Sequence, residues 1–161
     1  MRGQFRFTLP NGEEIIVPNI ITDQGEEDLL KMILQADVAI VSAGGNWFVG
    51  LCEETPGETD TLASISTEPT SAGGYARQPI ARNTTGWPTI SQVNDAFRGL
   101  SLQITFAASG ADFSRTIQRA FLTNVASGTA GRLFAYSGLL PNPLLITDGN
   151  NLPVKYELFL R

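Results

Sequence analysis

The chain has 161 residues and a formal net charge of −5; it is 42% hydrophobic and 17% charged, with no histidine and one cysteine. That length fits one domain with a sizeable core, while the missing histidine removes the commonest general base, triad member and metal ligand. A single cysteine excludes an internal disulfide and a thiolate zinc site, no basic run interleaved with aromatics favours nucleic acid, and no segment reaches membrane-spanning length.

The elements are predicted in chain order. "QFRFTLPNGEEIIVPN" reads as a hairpin: Phe5, Phe7 and Leu9 alternate with polar residues, Asn11-Gly12 supplies the turn, and Ile15 and Val17 return. "TDQGEEDLLKMILQADVA" reads as the one good helix. Asp23 and Glu26 are spaced like a capping box, Glu27 and Lys31 like a side-chain pair, and Leu29, Leu30, Ile33 and Leu34 form an apolar stripe. "SAGGNW" then ends the pattern.

From Trp47 the chain changes to short alternating segments separated by Gly, Pro, Asn and Ser. "NWFVGLCE" is the first strand, placing Cys52 as a buried, inert thiol. A long connection follows, with "TLASIS" a short turn of helix or strand. "YARQPIAR" is an edge strand, because Pro79 cannot donate to a ladder. "NTTGWP" turns. "LSLQITFAA" puts Leu100, Leu102, Ile104 and Phe106 on one face. "SRTIQRAFLTNV" and "GRLFAYSGLL" are strands covered on both sides. "PLLIT", the turn "DGNN" and "LPVKYELFLR" close a last hairpin, with Val154, Tyr156, Leu158 and Leu160 inward. The fold class is therefore mainly β: an antiparallel, jelly-roll-like β-sandwich over residues 45–161, with an N-terminal hairpin-helix extension over residues 1–44.

Charge is unevenly distributed along this plan. Residues 1–68 hold twelve acids and three bases, a balance of −9; residues 69–161 hold four and eight, a balance of +4. Two readings stand: separately solvated regions, or copies that meet basic surface to acidic surface. A charged share below the usual quarter leaves surface that an assembly would cover.

Candidate chemistry is sparse. Glu53-Glu54 and Glu58-Asp60 are carboxylate pairs of the kind glycoside hydrolysis needs, but they lie in a solvated Pro/Gly-rich connection. "DGNN" hints at calcium yet lacks further carboxylates and suits an ordinary turn. "SAGG" at 42–45 and 71–74 lacks the Gly-Lys-Ser/Thr of a phosphate loop. Asn83-Thr84-Thr85 is a glycosylation sequon that matters only in a eukaryotic secretory pathway. No catalytic residue, cofactor site or metal site is expected, and the N-terminus "MRGQFRFTLPNG" has no apolar signal region. A lone cysteine fits a reducing compartment, so a soluble chain made in a cytoplasm is expected.

The ordered set "WFVGL", "STEPTSAGGYARQPI", "LSLQITF", "IQRAFLTNV", "GRLFAYSGLL" and "ITDGNNLPV" resembles virion structural proteins of tailed bacteriophages. The resemblance spans roughly 110 residues and leaves residues 1–45 outside it. It implies a β-sandwich on the capsid exterior as a decoration (cement) protein, or one in tails and fibres. Its partners would be the major capsid protein and further copies of itself, as a homotrimer, with no nucleic acid or membrane.

Two residue groups are candidates for contact. The stripe Leu29, Leu30, Ile33 and Leu34 either docks on the particle or covers the sandwich's open end. Tyr75 and Arg77 share one strand face and serve either as anchors between subunits or as an internal lock, with Arg77 paired to Glu68. Trp47 and Trp87 either plug the core or offer a stacking platform for sugars.

Overall fold

The computed structural model describes residues 2–35 and 45–160, apart from the Ile33 side chain. Strands β1 (Arg2–Thr8) and β2 (Glu14–Ile21) form the expected hairpin. Gly12 turns it at φ +83°, a left-handed conformation that L side chains resist. Phe5, Phe7 and Val17 alternate into the core. Halfway along, β2 changes partner: Glu14–Pro18 pairs with β1, and Asn19–Ile21 pairs with β9 (Leu133–Ser137). One strand thereby belongs to both layers.

The first layer runs β5 (Thr89–Val93), β6 (Ala96–Leu100), β10 (Asn151–Leu160), β1 and β2. The last half of β10 pairs with β6, and its first half with β7 (Ile104–Ala107). The second layer runs from β2 through β9, β8 (Arg119–Thr123) and β3 (Asn46–Cys52) to β4 (Gln78–Ala81). All pairings are antiparallel. The ten described strands thus make a curled sheet folded into a sandwich, as the alternation requires.

Phe5, Phe7, Val154 and Tyr156 meet Val49, Leu51, Leu122 and Phe134 between the layers. A smaller core lies on the other side of the second layer, where Leu62 and Ile65 cover Cys52, Phe121, Leu133 and Tyr136. Every residue of β8 and β9 is consequently buried, as expected of strands covered on both sides. Gly50 leaves room for this packing, since a Cβ there would lie 2.2 Å from the Phe121 ring.

Helix α1 (Asp23–Leu34) lies against β9. Its cap is Thr22, one residue before the expected Asp23; the Thr22 hydroxyl accepts from the Gly25 N–H at 3.1 Å and donates to the Leu133 carbonyl. Gly25 lets the helix approach closely, because a Cβ there would stand 2.1 Å from the Phe134 carbonyl oxygen.

Four expectations are corrected. The hairpin and helix are no extension separable at residue 44: β1 sits between β2 and β10 at the centre of the sheet, and the boundary itself lies outside the described residues. "TISQVNDAFRGL" forms the β5–β6 hairpin, with Asn94 at φ 53° in its turn, where no strand was expected. "LSLQITFAA" is not one strand: Leu100 ends β6, Leu102 is exposed, and β7 starts at Ile104. "PLLIT" supplies only the isolated bridge between Ile117 and Leu144.

Candidate interaction surface

Tyr75 and Arg77 do share a direction, but it points inward. Glu68 accepts two hydrogen bonds from the Arg77 guanidinium, at 2.8 and 2.7 Å, and one from the Tyr75 hydroxyl at 2.7 Å. That hydroxyl also accepts from the Leu51 N–H at 2.9 Å. The guanidinium donates to the Val125 carbonyl and lies over the Phe121 ring. Both residues are buried. Burial beside the Glu68 carboxylate pushes the Tyr75 phenol well above its ordinary range. The pair fastens the 53–76 connection to the second layer, so neither residue is an exposed anchor of this chain.

The helix stripe splits. Leu29 packs against the main core together with Met32, which the stripe did not include. Leu30 and Leu34 are exposed, and the Ile33 side chain is outside the described part. Glu27 pairs with Lys31 as expected, at 2.7 Å. Asp28, in the helix's acidic start, is buried and meets Arg132 at 2.6 Å, clamping α1 to the segment before β9.

Leu29 and Met32 border a groove at the open end of the sandwich, enclosing about 260 Å³. Trp47, Trp87, Phe134 and Tyr156 form much of its wall, with Ile90, Phe97 and Leu160 towards the mouth. The register explains it. Tyr156, Leu158 and Leu160 lie on one side of β10; Leu158 opposes Gly99 and Leu160 opposes Phe97, while Ile90 opposes Gly99 from β5. The core-facing side of the first layer therefore continues past its overlap with the second. Ile90 is 74%, Phe97 59% and Leu160 52% exposed there. Trp87 stands edge-on to Tyr156 over Gly99. A shallower hollow of about 370 Å³ adjoins, where Asn83 and Thr84 join Trp47, Arg82, Trp87 and Ile90. Asn83 is occupied locally, its Oδ1 accepting from the Thr85 and Gly86 N–H groups.

Of the acids that the sequence offered for chemistry, Glu53, Glu54 and Asp60 work as framework, and Glu58 contributes its backbone carbonyl, which accepts from the Asp23 N–H. Glu54 accepts from Ser66 and Thr67, Asp60 from the Gly57 N–H, and Glu53 lies 3.7 Å from Arg115. In "DGNN", Asp148 accepts from the Gly110 N–H and Gly149 turns at φ +79°. The "SAGG" at 71–74 is a short 3-10 turn; the copy at 42–45 lies outside the described residues except for Gly45. Sequence reasoning missed Glu157, which is fully buried on β10 beside Arg6 at 3.0 Å and Arg98 at 3.5 Å. Glu157 lies on the face of β10 opposite Tyr156 and Leu158, where alternation predicts a solvent-facing acid, so the sequence pattern carried no signal of its burial.

Compared with known proteins, the chain matches no family model and no curated sequence. No described helix is long and apolar enough to cross a membrane.

Proposed function

We propose that this chain is a non-enzymatic virion structural protein of a tailed bacteriophage. In this reading it is a capsid decoration (cement) protein, made in the host cytoplasm and bound to the outer face of the assembled head. It bridges neighbouring major capsid subunits, with copies grouped as the homotrimer that the sequence resemblance implies. The observation that carries the reading is the apolar end of the sandwich that no described element covers, where Ile90, Phe97 and Leu160 present core-type side chains outward. Soluble monomers seldom leave such side chains grouped without a partner.

A cement protein stabilises by binding the closed shell and not its separated subunits, so shell stability rises by mass action. Several modest contacts per group of copies then add as avidity. The engagement of Glu53, Glu54 and Asp60 in framework contacts also favours a binding role over glycoside cleavage.

A quantified protein gel of purified particles tests the proposal. A copy number comparable with that of the major capsid protein is expected. A copy number matching tail proteins would move the chain to the tail or a fibre. The glycan-binding alternative rests on the partly exposed Trp87 beside Asn83 and Thr84; cell-surface binding by the isolated protein, lost in Trp87→Ala, would favour it.

A further inference from the structure

We infer that strand β5 is a self-association edge, through which two copies of this chain pair antiparallel about a two-fold axis at Ser91.

The two ends of the sheet are built differently. At one end, β4 carries Pro79, which removes a donor, and the curl of the sheet brings β4 near β7. Proline and charge are the usual devices that keep an edge from pairing. At the other end, β5 reads Thr-Ile-Ser-Gln-Val, with no proline and no charged residue. Its pairing with β6 is continuous from Thr89 to Val93.

Register fixes which groups face outward. The two-residue turn Asn94-Asp95 makes Val93 and Ala96 the hydrogen-bonded closing pair. Backbone groups then alternate in direction along the strand. Thr89, Ser91 and Val93 address β6, and Ile90 and Gln92 turn theirs to the side on which no described strand pairs. Both residues are exposed. What satisfies that edge most fully is another β-strand.

The sequence suits a strand of the same kind. Centred on Ser91, antiparallel pairing sets Ile90 against the partner's Gln92 in both directions. Outward groups then meet outward groups as two hydrogen-bonded pairs. β-Branched Thr89 faces β-branched Val93, a favourable cross-strand combination. An isologous contact pairs residue i with j and j with i and sets the on-axis Ser91 against its own copy, an arrangement that an edge strand free of charge suits. The exposed Ile90 and Phe97 of both copies would then form one apolar surface beside the axis. This contact is two-fold and independent of a three-fold one; a chain possessing both would link ring to ring.

Sedimentation equilibrium of the full chain, with hydrogen exchange at single amides, tests this. The expected result is a reversible dimer whose Ile90 and Gln92 amides exchange slowly when concentrated and quickly on dilution. Gln92→Pro removes an outward donor while leaving the β6 ladder intact, and should weaken association at least tenfold. Ile90→Lys, at an exposed position, should do the same without altering the circular dichroism spectrum. A monomer at all concentrations overturns the inference. So does an oligomer that both variants retain, or slow exchange at Ile90 and Gln92 that persists in the monomer, which would assign the edge to another part of the same chain.

Discussion

Glu68 holds the Tyr75–Arg77 corner together, because the guanidinium it compensates is almost wholly enclosed while the carboxylate keeps a partial outlet to solvent. Removing one partner of such a pair leaves a buried charge without compensation. Glu68→Gln should therefore lower unfolding free energy by on the order of 3 kcal/mol, measured by urea denaturation. Were Tyr75 and Arg77 anchors for another subunit, Arg77→Ala would instead spare stability and weaken assembly. Cys52 gives a second expectation at this scale. Burial pushes its thiol from the ordinary 9.0 up to about 12, with the nearby Glu54 carboxylate adding to the effect. A raised value means that the unfolded chain loses its proton first. The stabilisation is thus complete below pH 9.0 and is lost progressively as the pH rises to about 12. Tyr75 and Tyr156 are raised by burial as well, which steepens the alkaline loss. Denaturant midpoints measured upward from pH 8 should fall, and native Cys52 should resist alkylation at pH 8 until the protein is unfolded.

At the scale of elements, α1 and the β1–β2 hairpin carry the clearest expectations. The contacts that hold helix α1 to the segment around β9 include the Thr22 hydroxyl, the close approach at Gly25 and the Asp28–Arg132 clamp. Gly25→Ala places a methyl group against the Phe134 carbonyl and should cost about 1–3 kcal/mol, with loss of helical signal preceding global unfolding. The helix was legible from its acidic start and leucine spacing, yet its contacts were not. The stripe was defined by hydrophobicity alone, and hydrophobicity does not distinguish Leu29, which meets the core, from Leu30, which does not. The β5–β6 hairpin was illegible for a related reason. "TISQV" alternates only weakly, and Asn94-Asp95 is a turn signal that also suits an open loop.

At the scale of the molecule, β2 holds the two layers together by pairing with β1 and then with β9. Deleting residues 1–44 should therefore abolish the fold rather than trim it, seen as loss of the β circular dichroism signal and of slow-exchanging amides. Phe7→Ala, at a fully buried position between the layers, should cost about 3–5 kcal/mol. A folded truncated chain would show that the second layer closes without its seam.

Alternation along single strands was enough to establish a mainly antiparallel β-sandwich, because period 2 places side chains on opposite faces whatever the strand's neighbours. It identified β4 as an edge through Pro79, β8 and β9 as doubly covered, and the first hairpin through Asn11-Gly12. Only the tertiary structure decided that this hairpin is the centre of the sheet, that Tyr75 and Arg77 turn inward, and that one end of the core is left open. Strand order and layer overlap depend on contacts between residues far apart in the chain, and no local pattern encodes how far one layer extends beyond the other.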